Sequence, residues 1–131
     1  MKLYLDSSAL VKRYVDEQGS TAVRRRMGAA DAWVVSQLTF VEMLRVIPNR
    51  SEAAGRARAE WPRFDVIAIS PAVCEAAVGL AERHRLRSLD AIQLASAIAV
   101  GPALLDLATW DRRLHAAALA EGFEVLPGAL D

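Results

Sequence analysis

The run Leu3-Tyr4-Leu5 is apolar without alternation, and Asp6 ends it where a helical pattern begins. A short uniform apolar run bounded by polar residues is what a strand needs when helices cover both faces of a parallel sheet. The pattern recurs. Ala32-Trp33-Val34-Val35, Asp65-Val66-Ile67-Ala68-Ile69, Leu104 to Ala108 and Phe123-Glu124-Val125-Leu126 read as further strands. Between them, helical periodicity predicts helices over Ser8–Asp16, Ser20–Met27, Leu38–Ile47, 51–61, Pro71–Arg83, Leu89–Val100 and Asp111–Ala120. Ser70-Pro71 supplies a cap followed by a first-turn proline, and Ser20 and Ser88 are expected caps. Strands alternating with helices predict a single α/β domain over residues 1–131, with a mainly parallel five-stranded sheet flanked by helices.

Charge removes some function classes. Sixteen basic residues balance sixteen acidic ones, so wholesale electrostatic capture by nucleic acid or membrane is excluded, though local basic patches are not. All but Lys2 and Lys12 of the basic residues are arginine, which suits bidentate phosphate contacts and fits an arginine-rich genome equally well. The single cysteine, Cys74, has no partner for a disulfide within the chain, which predicts a reducing, cytoplasmic setting. The apolar start is too short for a secretory signal, and the tract from Ala91 to Leu105 is too interrupted to span a bilayer.

In an open parallel sheet the ligand crevice lies outside the carboxyl ends of the strands. Four acids are expected at that edge. Asp6 follows the first strand, Glu42 lies in the first turns of the helix after the second, Asp90 opens the helix begun at Ser88, and Asp111 follows the fourth strand. Each has an ordinary use at a helix amino end, with Thr39 to Glu42 fitting a capping box. As a group they are harder to explain. Two carboxylates about 4 Å apart repel by about 4 kcal/mol at an effective dielectric of 20, so a cluster calls for protons or a cation. An all-oxygen set suits Mg²⁺ or Mn²⁺, whereas His84 and His115 are expected on the surface, against zinc.

The segments Leu5-Asp6-Ser7-Ser8-Ala9-Leu10-Val11-Lys12, Thr39 to Glu42, Leu89-Asp90-Ala91-Ile92-Gln93-Leu94-Ala95 and Thr109-Trp110-Asp111-Arg112-Arg113-Leu114 resemble the PIN-domain family. More narrowly, they resemble the VapC toxins of bacterial and archaeal toxin–antitoxin pairs. The resemblance implies a Mg²⁺- or Mn²⁺-dependent ribonuclease in which Asp6, Glu42, Asp90 and Asp111 are the catalytic and metal-binding acids. Asp6 and Asp90 would bind directly, while Glu42 and Asp111 would hold a second ion or metal waters. Asp106 is the competing acid near Asp111, but strand alternation turns it away if residues 104–108 are extended.

Ser7 and Thr109 are expected to position carboxylates or a phosphate. Arg112 and Arg113 beside Asp111, and Arg85 and Arg87 before Asp90, are the candidates for RNA contact, with solvated helix ends as their ordinary reading. The resemblance further implies products with 5′-phosphate and 3′-hydroxyl ends, a small antitoxin across the acidic groove, and a homodimer. Met43, Val46 and Ile47 are candidates for the dimer face or for the core. Other aspartate-first α/β classes fit less well. Position 8 is serine where a haloacid-dehalogenase-type phosphatase wants a second aspartate. No lysine follows Lys12, as a receiver domain would require. A non-catalytic PIN-like module that binds RNA or protein is the rival reading.

Overall fold

The computed structural model describes residues 1–130. Its elements are β1 (Lys2–Leu5), α1 (Ser7–Tyr14), α2 (Ser20–Ala29), β2 (Trp33–Ser36), α3 (Gln37–Val46), α4 (Glu52–Glu60), β3 (Asp65–Ile67), α5 (Pro71–His84), α6 (Ser88–Val100), β4 (Leu105–Ala108), α7 (Arg112–Ala120) and β5 (Val125–Leu126). The strands lie in the order β3-β2-β1-β4-β5, and every pairing is parallel. The expected α/β architecture is therefore the observed one, with a wholly parallel sheet. From β1 the chain winds outward to β2 and β3, then crosses back to β4 and β5. The reversal lies between β1 and β4, where such sheets open their crevice.

The pleat divides the core in two. Leu3, Leu5, Val35 and Ala108 pack with Leu10, Val23, Met43 and Ala57 from α1 to α4. Tyr4, Val34, Leu105 and Leu107 pack with Val73, Leu94 and Leu114 from α5 to α7. Leu3 to Leu5 are fully buried, which is why the run shows no polar alternation. Strand alternation turns Asp106 out of the crevice to meet Arg26 of α2 at 2.5 Å.

Several local expectations are corrected. Helix α3 starts at Gln37 and is capped by Ser36, whose hydroxyl accepts from Leu38 N–H at 3.2 Å; Thr39 is buried inside the helix and makes no capping box with Glu42. Ser88 is the first residue of α6 and Arg87 its cap, without a side-chain bond. Gly19, not Ser20, caps α2, and two constraints require glycine there. Its φ is +93°, and an added Cβ would lie 2.7 Å from the Trp110 ring. His115 is not a surface residue: it is buried, and its Nε2 lies 2.6 Å from the Pro127 carbonyl. His84 is half-buried against Glu121 at 2.8 Å. Met43 and Ile47 belong to the core, whereas Val46 is exposed.

The segment with the weakest pattern, residues 51–61, gains its place through one charged contact. Ser51 caps α4 by accepting from Ala54 N–H, and Ala54 and Ala57 bury one face. At its far end, the Glu60 carboxylate accepts from Arg13 Nε at 2.7 Å, Arg13 Nη2 at 2.9 Å and the Tyr14 hydroxyl at 2.6 Å, which clamps α4 to α1. Arg13 also lies over the Trp33 ring, 4.6 Å from its centroid. The bidentate fork of Arg13 is the main reason the Glu60 carboxyl is held at about 2, below its ordinary 4.5.

Between those values the folded state binds fewer protons than the unfolded chain. The contribution is therefore present above pH 4.5 and lost as pH falls toward 2. Glu60→Gln is expected to cost about 1–2 kcal/mol at neutral pH, screening on the solvent side included. It is also expected to flatten the acid limb of a denaturation series between pH 2 and 4.5. A variant as acid-sensitive as its parent would overturn the assignment.

Candidate active site

Asp6 leaves β1 at the sheet's reversal point and caps α1. Its Oδ1 accepts from the Ser8 hydroxyl at 2.7 Å and from Ala9 N–H at 2.9 Å. Its Oδ2 accepts from the Thr109 hydroxyl at 2.5 Å, across from the end of β4. Thr109 Oγ1 in turn accepts from Asp111 N–H at 3.1 Å, and Ser8 Oγ accepts from Trp110 N–H at 2.9 Å. One buried carboxylate thus stitches the start of α1 to the start of α7. Ser8 fills the role expected of Ser7, which is half-buried and makes no side-chain hydrogen bond to an acid among the described residues. Thr109 lies where it was expected, against a carboxylate.

Asp111 caps α7, accepting from Leu114 N–H at 2.9 Å, and remains half-buried. Asp90 stands in the first turn of α6, also half-buried. A cavity of about 360 Å³ opens between them, lined by Arg87, Asp90, Trp110, Asp111, Arg112 and Arg113. Three of the four arginines expected at this edge thus share a cleft with two of the four acids, and Arg85 lies one cavity further along. Trp110, which borders the cleft, is held from behind by Lys12, whose ammonium lies 4.9 Å from its ring centroid.

Glu42 lies in the second turn of α3 and is held by a residue that sequence reasoning passed over. Gln93 of α6 is 2% exposed. Its amide nitrogen donates to Glu42 Oε1 at 2.8 Å and to Thr39 Oγ1 at 2.9 Å, while its carbonyl oxygen accepts from the Tyr4 hydroxyl at 2.5 Å. Asp90 is one helical turn before Gln93 on α6. Its sequence signal was an amide inside an otherwise apolar helix, a residue type that is buried only when its hydrogen bonds are made.

The acids act on one another. Burial raises the Asp6 carboxyl from 3.8 to about 6, against the hydrogen bonds from Thr109, Ser8 and Ala9, and Asp111 adds to the rise. Asp90 is raised first by burial, then by Asp111 and Glu42, with Arg87 and Arg113 opposing. Each of the four therefore takes part in a like-charge pairing with at least one other. They do not make a cage: among the described residues, no three His, Cys, Asp or Glu side chains converge on a point able to hold a metal ion. The arrangement fits a hard cation bound by one or two carboxylates and otherwise by water and substrate oxygens, which is the habit of Mg²⁺.

The Asp6 shift has a sign. Its folded value lies above its unfolded one, so the folded state holds the proton more tightly. Stability from this group is full below about pH 4 and is lost as pH rises through about 6. Asp6→Asn keeps the acceptor toward Ser8 and Ala9 and removes the buried charge. In EDTA the variant is expected to exceed its parent in stability above pH 6, by on the order of 2 kcal/mol, and to match it near pH 4. Thermal melts from pH 4 to 8 check this, and parallel curves would overturn it.

A family model described as PIN domain matches residues 3–124. Ribonuclease VapC45 of Mycobacterium tuberculosis is 36% identical over an alignment covering 98% of this chain and 97% of the relative. Ribonuclease VapC46 of the same species is 38% identical, covering 95% of each. Among solved structures, a chain of a toxin–antitoxin complex from Klebsiella pneumoniae superposes with a TM-score of 0.75 at 22% identity, covering 98% of this chain and 99% of that one. PAE2754 from Pyrobaculum aerophilum gives 0.62 at 21% identity, over 100% of this chain and 83% of that one. At these identities the two structures bear on the fold.

Proposed function

This chain belongs to the PIN-domain family, and on that premise we propose that it is an endoribonuclease, the toxin of a toxin–antitoxin pair, with its PIN domain extending over residues 1–131. The observation that carries the reading is that Asp90 and Asp111 share one cleft with Arg87, Arg112 and Arg113, while the buried Asp6 is tied to the same edge through Thr109. Relatives of nearly equal length named as VapC ribonucleases support it. Carboxylates alone would repel an RNA backbone, and guanidiniums alone would bind it without cutting.

In this reading Asp6 and Asp90 would hold a divalent ion, Mg²⁺ or Mn²⁺, and Glu42 and Asp111 would serve a second ion or its bound water. When bound, the ion supplies charge neutralisation at the scissile phosphate and a water of lowered pKa. The protein's own side chains do the rest. Thr109 and Ser8 donate to Asp6 and fix its two oxygens, so its free lone pairs keep one direction. Gln93 does the same for Glu42 Oε1. Arg112 and Arg113 hold the phosphate in place by charge-assisted hydrogen bonds. The raised Asp6 carboxyl gives the metal-free site a proton that cation binding displaces, so activity is expected to rise through about pH 6.

The partners are an RNA substrate in the cytoplasm, a small protein antitoxin and a second copy of the chain. Among the described residues no helix is long and apolar enough to cross a membrane. Met43 and Ile47 are spent in the core; the exposed apolar side chains open to a second copy include Val41 and Val46 of α3, Val78 of α5 and Leu89 of α6.

Incubation with total RNA is expected to give internal cuts in Mg²⁺ or Mn²⁺ and none in EDTA. Asp6→Ala and Asp90→Ala are each expected to lose at least about 100-fold in rate, the scale of a removed electrostatic element in a site. Binding of RNA without cutting would favour the non-catalytic module. Cutting confined to DNA would keep the site and defeat the substrate.

A further inference from the structure

A second cavity, of about 380 Å³, adjoins the acidic cleft and is lined by His84, Arg85, Arg113, Ala116 and Ala117. Arg113 lines both cavities. Five of the chain's arginines, residues 13, 24, 26, 63 and 83, are in salt bridges. Among the described residues Arg85, Arg87, Arg112 and Arg113 have no such partner, yet they crowd one end of the molecule. Glu121, which His84 of this cavity contacts at 2.8 Å, is also engaged by Arg83 at 3.0 Å.

Arg85 also sits where its residue type is disfavoured. It closes α5 in the left-handed region, at φ 53° and ψ 44°, with Leu86 N–H returning to the Ala81 carbonyl at 3.1 Å. Helix ends of this shape normally use glycine, because a side chain there meets its own backbone. A backbone outlier of this kind points to a use for the side chain. Here that side chain is an unpaired guanidinium on the wall of the cavity next to the acids.

We propose that the His84–Arg85–Arg113 cavity is a phosphate subsite that takes the RNA backbone phosphate adjacent to the one at the acids, with Arg113 reaching both. This rests on the ribonuclease reading and adds a path to it. The strand leaves the acidic cleft over α7 toward the carboxyl end of α5, between the small side chains of Ala116 and Ala117. Guanidinium forks suit phosphate oxygens, and the alanines leave room for the ribose.

The test uses Arg85→Gly, which removes the guanidinium while giving the helix end the residue its geometry prefers. Its melting temperature is expected to equal or exceed the parent's. Binding of a fluorescent single-stranded RNA, measured in EDTA over a salt series, is expected to weaken several-fold. The slope of log K against log salt should shrink by about 0.7, the loss of one phosphate contact. Arg25→Ala, which removes an unpaired guanidinium from α2, is expected to keep the parent's slope. An Arg85→Gly slope equal to the parent's, or an equal drop for Arg25→Ala, overturns the subsite. If the parent neither binds RNA in EDTA nor cuts it in Mg²⁺, the ribonuclease reading falls and takes the subsite with it.

Discussion

The hydrogen bond from Thr109 to Asp6 joins the ends of β1 and β4, and most of the molecule's working edge depends on it. A carboxylate taken out of water costs several kcal/mol unless it is paired or hydrogen-bonded. Among the described residues Asp6 has no salt-bridge partner: three donors, from Thr109, Ser8 and Ala9, offset its burial without cancelling it. The same donors fix everything nearby. Thr109 also receives Asp111 N–H and Ser8 receives Trp110 N–H, so the first turn of α7 is held in place by the groups that satisfy Asp6. Parallel pairing of β1 and β4 makes this possible, because it brings two strand ends 103 residues apart to one side of the sheet.

Gln93 plays the matching part on the other side of Tyr4. From α6, its carbonyl and amide reach two other elements, β1 and α3, through groups that would otherwise be buried and unsatisfied. Leaving one such group unpaired costs about 1–3 kcal/mol, so the network specifies one register between α3 and α6. That register fixes Glu42 and Asp90 at once, since Asp90 lies one turn from Gln93 on the same helix. Two acids far apart in sequence thereby come close enough to act on one another: Asp90 is raised chiefly by burial, then by Asp111 and by Glu42.

The alternation of strands and helices was legible because buried strands and half-buried helices differ in period, and the elements fall close to where that difference puts them. Asp6 and Asp111 were legible as caps, since a cap is a local relation between a side chain and an N–H three residues on. The reading failed where two local solutions competed. Thr39 to Glu42 has the spacing of a capping box, but Ser36 lies one turn earlier at the strand exit and takes the cap, leaving Thr39 to be buried against Gln93. Ser7 and Ser8 cannot be told apart by pattern alone, because which of them turns back to Asp6 is decided by the first dihedral angles of α1. Gln93 and His115 were missed for a different reason: their partners, Glu42 and the Pro127 carbonyl, are tertiary.

Opposite charges at one cleft impose a condition on whatever binds there. The acids lie inward, with Asp6 buried, whereas Arg85, Arg87, Arg112 and Arg113 are exposed around them. An incoming anion therefore meets guanidiniums first and is opposed by carboxylates as it advances. The opposition grows as the inner charges lose water, because the effective dielectric falls with depth. A cation held between the inner acids, as proposed, would reverse that last step, and a phosphate reaching them would then meet attraction on every side. In that reading a chain with no net charge holds a polyanion locally, with the depth of entry set by occupancy of the inner site rather than by overall electrostatics.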